Sequence, residues 1–289
     1  MPIEIIPTSY AQHLAKILSK DKGFNINYLQ DNKDGKKFFP DGETYVKLND
    51  VCKNKSRIIV LHSGAPEPNN GLIELDFILG ILKNNKSGPV ELFLAYFPYC
   101  RQDAEFCEGE ANIVRSLLEK WTKFYKVKKI YVIDAHFAKK TWAKNYPVKY
   151  ISASDFIFGA VKSKYPDIVF MAPDEGGAKR ASLQGLSKER KNSFDVSVGC
   201  SKNFGRNIQG KIVGVADDII GTGGTMVCAG AKFKEVGAKK IIAIATHGVL
   251  ESGIERVKKA YDDLFLANTI NCKNSNIDIS KLISKTLLK

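Results

Sequence analysis

The sequence predicts an α/β protein of two domains, each a mainly parallel sheet flanked by helices. Three observations carry that expectation. The chain has 289 residues, which suits two domains of about 140 residues each. Ile- and Val-rich runs of strand length recur along it, continuous rather than alternating, as in parallel strands buried on both faces. The segments between those runs carry helical spacing, which makes a doubly wound pattern.

The elements follow in order. The runs IEIIP, RIIVLHS, VELFLAYFP and KIYVIDAH fill the first half. DIVFMAP, KIVGVADDII and KIIAIATHGV fill the second. Each run ends near Gly, Pro, Asp or His. GLIELDFILGILKNN and TMVCAGAKFKEVGAKK have the apolar spacing of amphipathic helices. A domain break is expected near Tyr146–Ser154, with residues 1–149 and 150–289 on either side. The polar stretch from Ser182 to Gly210 shows little periodicity and is expected to be a mobile loop over an active site. In open parallel sheets ligands bind at the carboxyl ends of strands, so polar residues after each strand are the first candidates.

Composition narrows the class. With 44% hydrophobic and 26% charged residues, a sizeable core is expected. No apolar run approaches the roughly 20 residues a membrane span needs. The N-terminus lacks a signal-peptide core and cleavage site, so a cytoplasmic protein is expected. The six cysteines form no CxxC pair, and free thiols are expected rather than disulfides or a zinc site. A net charge of +13 fits either nucleic acid or small anionic ligands. The lysines are spread out, without a dense basic tract or interleaved aromatics. The expectation is therefore small anions or a solvated surface, with no nucleic-acid or membrane partner.

The strongest local signal is VADDIIGTGGTM, residues 215–226. A strand delivers the adjacent carboxylates Asp217 and Asp218. A turn follows, Gly221, Thr222, Gly223, Gly224 and Thr225, and then a helix. Glycines let backbone N–H groups converge on an anion, and the helix N-terminus adds its dipole. The acidic pair suits ribose hydroxyls or a ligand-bound metal. The plainer reading is a Gly-rich strand-to-helix turn. No GxxxxGK[ST] sequence occurs, so no P-loop holds a nucleotide.

That segment resembles the ribose-phosphate motif of type I phosphoribosyltransferases and of the ribose-phosphate pyrophosphokinase family. Further segments favour the pyrophosphokinases: FPDGETYVKL at 39–48, YFPYCRQD at 96–103, VIDAHF, APDEGG, and IATHGVL at 244–250. The likeness runs in order from about residue 3 to residue 285. It implies two phosphoribosyltransferase-like (type I) domains with the active site at their junction. It also implies Mg²⁺-dependent transfer of the β,γ-diphosphoryl group of ATP to the C1 hydroxyl of ribose 5-phosphate. Phe39, Asp41, Glu43, Arg101, Gln102 and Asp103 would bind ATP. Asp217, Asp218 and the 221–225 turn would bind ribose phosphate. His136 and Asp174 would hold Mg²⁺, and His136, Lys188 and Arg190 would serve catalysis. The family shares its ATP site between subunits, which implies a homodimer or higher homo-oligomer.

The sequence also departs from the family. Ala104 and Glu105 stand where basic residues are usual, and Gly221 where Asp or Ser is common. The segment before Lys188 is shorter than usual. These changes keep a second acceptor open, ADP-ribose, which some phage relatives pyrophosphorylate in NAD⁺ rebuilding. A non-catalytic regulatory paralogue is opposed by retention of the acidic pair, His136, Asp174, Lys188 and Arg190. A base-transferring phosphoribosyltransferase is opposed by the FPDGE and RQD segments.

Overall fold

The structure is a computed structural model of the chain. It describes residues 2–53, 55, 57–174 and 208–289, and between the last two ranges only the backbone of 184–185, 187–190 and 196–199. The chain divides into two compact units. The first comprises Met1–Ser152, Thr269–Asn271 and Ser280–Lys289, and the second Ala153–Asn268 and Cys272–Ile279.

The first unit is built on a six-stranded sheet. Its strands are β1 (Ile3–Pro7), β2 (Phe24–Ile26), β3 (Ile58–Ser63), β4 (Val90–Tyr96), β5 (Lys129–Ile133) and β6 (Val148–Ile151), in the order β2-β1-β3-β4-β5-β6. Every pairing is parallel. All six residues of β3 are buried, as the continuous apolar run requires of a strand covered on both faces. Helix α1 (Gln12–Leu18) follows β1. Helix α2 (Pro68–Asn84) opens with Pro at its first turn, where a missing N–H costs nothing. It buries Gly71, Glu74, Leu75, Ile78, Leu79 and Leu82. Helix α3 (Ile113–Glu119) is capped by the Asn112 side chain, which accepts from the Arg115 N–H at 3.0 Å.

The second unit carries a five-stranded sheet of β7 (Val169–Ala172), β8 (Gln184–Gly185), β11 (Ile212–Ile220), β12 (Lys240–Gly248) and β13 (Asp263–Leu266). Its order is β13-β12-β11-β7-β8, again all parallel. A separate antiparallel pair joins β9 (Ser187–Arg190) to β10 (Val196–Gly199). Helices α4 (Ser154–Lys164), α5 (Gly224–Glu235) and α6 (Glu251–Ala260) complete the unit. Val213, Val215, Met226, Phe233, Ile254 and Val257 sit in one core cluster.

Two features differ from the sequence reading. Strands β2, β6 and β13 were not anticipated, because runs of three or four residues with mixed polarity give little periodic signal. The last helix, α7 (Ser280–Leu287), expected within the 150–289 domain, clusters with the first unit. Polar contacts hold it there. Ser284 donates to Asp21 at 2.7 Å, and the Arg57 guanidinium donates to the Leu287 carbonyl at 2.6 Å and to Glu91 at 2.9 Å. Among the described residues Cys52, Cys100, Cys107, Cys228 and Cys272 are free thiols, and no helix is long and apolar enough to cross a membrane.

Candidate active site

The strand–turn–helix of the strongest sequence motif forms as expected. β11 runs through the acidic pair to Ile220, and α5 begins at Gly224. Asp217 and Asp218 are half-buried, and the Asp218 N–H donates to Asp217 Oδ1 at 3.0 Å. Thr222 and Thr225 are exposed, whereas Gly221 and Gly223 are buried. Gly223 is left-handed at φ 78°, a conformation that favours glycine. The 12-residue helix α5 presents its unpaired first N–H groups at this turn. The helix is held from behind by Tyr261, whose hydroxyl donates to the Met226 carbonyl at 2.6 Å. Carboxylates beside backbone N–H donors at the open start of a helix can hold a phosphorylated polyol.

In the first unit FPDGE is the tip of a hairpin. Phe38 bridges Thr44 in antiparallel fashion. The Phe39 N–H donates to the Glu43 carbonyl at 2.8 Å, and the Gly42 N–H to the Phe39 carbonyl at 2.9 Å. Pro40 sets the turn and Gly42, at φ 91°, supplies the left-handed residue that closes it. The Asp41 carboxylate accepts from the Glu43 N–H at 3.1 Å. Phe39 is 44% exposed, so it is not the core residue that a strand start would make it. Its ring meets Tyr45 edge-on at 5.7 Å. Both line an open cleft of about 430 Å³ with Phe77, Ile81, Asn84 and Tyr125.

The base of that hairpin is tied down by residues the sequence reading passed over. The Lys37 ammonium donates to Ser9 Oγ at 3.1 Å, and the Ser9 N–H donates to Glu74 Oε1 at 2.6 Å. Glu74 is buried, and burial pushes its carboxyl above the usual range. A signal was present: helical spacing puts Glu74 on the face of Gly71, Leu75 and Ile78, an acid in an apolar stripe.

Arg101 and Gln102 are exposed, as a nucleotide contact requires. Asp103 differs. It is 1% exposed and faces inward. Its carboxylate lies 3.3 Å from His136 Nδ1 and 3.4 Å from the Lys140 ammonium. Asn112 donates to its backbone carbonyl at 3.1 Å. Asp103 therefore contacts the metal-binding candidate rather than the surface beside Arg101. A carboxylate on one ring nitrogen fixes the tautomer and leaves the other nitrogen, Nε2, as the donor to a ligand. Of the departures from the family that follow Asp103, Glu105 is exposed and Ala104 half-buried.

Asp174 follows β7 and is half-buried. Lys188 and Arg190 lie on β9, opposite Val198 and Val196, and their side chains fall outside the described residues; within the stretch 182–210, expected to be a loop, the described residues include the strands β8, β9 and β10, short runs that gain strand character from pairing rather than from their own periodicity. An oxygen-donating carboxylate such as Asp174 suits Mg²⁺ by its chemistry, since hard cations prefer oxygen ligands. Among the described residues one group of three brings its ligand atoms close enough to hold a metal, Glu4, Asp50 and Cys52. It is a poor site. Lys55 pairs with Glu4 at 3.1 Å, and burial pushes the Cys52 thiol up to about 11, against the thiolate a metal needs.

Comparison with known proteins adds three findings. Residues 3–120 match the family model described as the N-terminal domain of ribose phosphate pyrophosphokinase, and residues 200–288 the one described as phosphoribosyl synthetase-associated domain. The chain is 33% identical to a ribose-phosphate pyrophosphokinase of Pyrococcus abyssi over 99% of its own length and 98% of the relative's. It is 29% identical to one of Sulfolobus acidocaldarius, covering 87% and 90%. Among solved structures it is similar to phosphoribosylpyrophosphate synthetase of Mycobacterium smegmatis, with a TM-score of 0.84, 21% identity, and 100% and 98% coverage. At that identity the likeness shows the fold.

Proposed function

The chain belongs to the ribose-phosphate pyrophosphokinase family, and from that premise we propose that it transfers the β,γ-diphosphoryl group of ATP to the C1 hydroxyl of ribose 5-phosphate. The hydroxyl oxygen attacks the β-phosphorus. The bond from that phosphorus to the α–β bridging oxygen breaks, AMP leaves with the electron pair, and the hydroxyl proton is released. The observation that carries the reading is the acidic pair set beside the Gly/Thr turn and the open start of α5. The carboxylates suit the ribose hydroxyls, and the N–H groups suit the 5-phosphate.

Phe39 supplies an aromatic face for adenine, with Asp41 and Glu43 beside it. Arg101 and Gln102 supply donors to the nucleotide, the guanidinium through its paired N–H groups. Lys188 and Arg190 stabilise charge on the transferring group, in a reaction where positioning and electrostatics supply most of the acceleration. His136 and Asp174 would hold Mg²⁺, and the chemistry supplied there is charge neutralisation on the diphosphate. We assign Asp103 the task of orienting His136. The protein acts as a homodimer or higher homo-oligomer. Support comes from Phe39 at 44%, Ile73 at 46% and Phe77 at 47% exposure, more apolar surface than a lone hairpin and helix need present.

The test is a product assay by mass spectrometry with ATP, Mg²⁺ and ribose 5-phosphate. Phosphoribosyl pyrophosphate and AMP in equal amounts are expected. ATP left intact, or cleaved to ADP, sinks the reading. A second acceptor, ADP-ribose, is favoured by Gly221, which has no side chain at the border of the phosphate turn. Its phosphate is singly charged and bears a bulky group, so its turn must leave one side open. If ADP-ribose is the native acceptor, Gly221→Ser shifts preference toward ribose 5-phosphate in competition kinetics. If ribose 5-phosphate is native, the variant is close to neutral.

A further inference from the structure

We propose that Gly253 is a positioning residue for acceptor binding, holding the Gly221–Thr222 peptide in the orientation that offers the Thr222 N–H to the acceptor phosphate. The inference rests on the reading of that turn as the ribose-phosphate loop. Gly253 is buried in the first turn of α6, a helix outside the sequence motif. A Cβ added to Gly253 would lie 1.7 Å from the Gly221 carbonyl oxygen and 2.9 Å from the Thr222 carbonyl carbon. Those are backbone atoms, so no side-chain rotation can relieve the clash. The contact is reciprocal. A Cβ on Gly223 would lie 2.7 Å from the Gly253 carbonyl oxygen. Helix and loop meet backbone to backbone, each glycine leaving the space the other chain segment occupies.

That contact has a direction. The Gly221 carbonyl oxygen faces α6. Carbonyl and N–H point opposite ways across a trans peptide, so the Thr222 N–H is turned away from α6. The other side of the loop is pinned too, since the Val249 N–H donates to the Ile220 carbonyl at 2.9 Å. If Gly253 gained a side chain, either α6 would retreat or the loop peptide would rotate. Ile254 and Val257 of α6 are 1% and 0% exposed and belong to the unit's core. Moving the helix would open that core, whereas rotating one peptide of a glycine-rich turn leaves the packed side chains of α6 in place. The loop yields, and the N–H leaves its place.

The experiment compares Gly253→Ala with Gly248→Ala. A Cβ at Gly248 would also be crowded, but by the side chains of Leu266 at 2.7 Å and Ile254 at 2.8 Å rather than by the loop. For Gly253→Ala the KM for the acceptor should rise about tenfold, about 1.4 kcal/mol. Affinity for a non-hydrolysable ATP analogue, read by calorimetry, should stay at the wild-type value. Gly248→Ala should lower the Tm without raising the acceptor KM. An unchanged KM in Gly253→Ala, or an equal rise in Gly248→Ala, overturns the inference. Should Gly253→Ala not fold, hydrogen exchange on the wild type decides. Ribose 5-phosphate or ADP-ribose should protect residues 219–226 and 250–257 together, and protection of the first segment alone overturns the coupling. A wild type that binds neither acceptor sinks the acceptor reading itself, an outcome distinct from an unaffected variant.

Discussion

The hairpin at 37–45 and the loop at 217–225 present their chemistry in opposite ways. The hairpin is held by a Pro-Asp-Gly turn, one bridge and the Lys37–Ser9–Glu74 tether, and the side chains proposed to meet the nucleotide, Phe39, Asp41 and Glu43, are exposed. The loop is backed by a helix in backbone contact, its glycines 221 and 223 are buried, and its carboxylates are half-buried on a central strand. The difference follows from the ligands each suits. An aromatic face recognises a base by area, tolerates movement and needs something on the base's other side. A phosphate is recognised by several N–H groups converging on one point, which only a rigid backbone provides. The hairpin should therefore trade affinity without stability, and the loop should couple the two.

The largest expected effect lies outside both regions. Lys188→Ala should lower kcat by on the order of 10²- to 10³-fold while the KM for ATP hardly moves, the pattern of a contact made in the transition state. Steady-state kinetics with near-wild-type turnover would make Lys188 an ordinary surface lysine. Within the loop, Asp218→Asn should cost on the order of 10²-fold in kcat/KM for the acceptor, through loss of a charged acceptor for sugar hydroxyls. Circular dichroism should show the fold intact. Equal acceptor affinity in the variant removes the basis for placing ribose at the acidic pair.

Asp103→Asn sharpens the comparison inside the first unit. Apparent Mn²⁺ affinity, read by paramagnetic resonance, should fall about 10- to 100-fold, as when the partner of a ligating histidine is changed. Affinity for metal-free ATP should not change. If ATP affinity alone falls, Asp103 serves the nucleotide and not His136. Phe39→Ala should raise the KM for ATP about tenfold, within the range of one base stacked on an aromatic ring. Its Tm should stay within a degree or two, because the ring is half-exposed. A large loss of stability would make Phe39 a packing residue.

The last effect concerns stability alone and leaves catalysis untouched. His62 is the penultimate residue of β3, is fully buried, and shares one hydrogen bond at Nδ1 with Thr8 Oγ1 at 2.9 Å. Burial pushes its pKa from the ordinary 6.5 down to about 3. Between those values the unfolded chain binds a proton that the native protein does not, so this contribution to stability falls as pH falls below 6.5. From pH 7 to pH 5 the loss is about 2 kcal/mol. His62→Gln should flatten the pH dependence by that amount in urea unfolding. An identical slope would mean that His62 protonates in place.

Much of this molecule was legible in advance. The runs at β1, β3, β4, β5, β7, β11 and β12 are continuous and apolar, and burial on both faces permits no other pattern. The Pro-Asp-Gly tip and the Gly/Thr turn were readable because turn chemistry is local. Strand β13 and the antiparallel pair β9–β10 were not, since short mixed runs acquire their strand character from neighbours. The site divides along the same line. Phe39, the acidic pair and the glycines of the turn announce themselves through their immediate sequence. Asp103 sits in the RQD segment beside the exposed Arg101, yet its own side chain is buried against His136 and Lys140.

By itself, then, the sequence determined what depends on periodicity and on a few consecutive residues: parallel strands, the strand–turn–helix of the acceptor loop, the hairpin tip and the family. Tertiary structure decided which polar groups face one another. His136 is 33 positions from the Asp103 carboxylate it faces, and Gly253 lies a strand and a helix away from the Gly221 carbonyl it packs against. Such pairings are set by how helices and strands stack, where tenths of an ångström between backbones decide whether a side chain can exist, and local sequence carries no record of that distance.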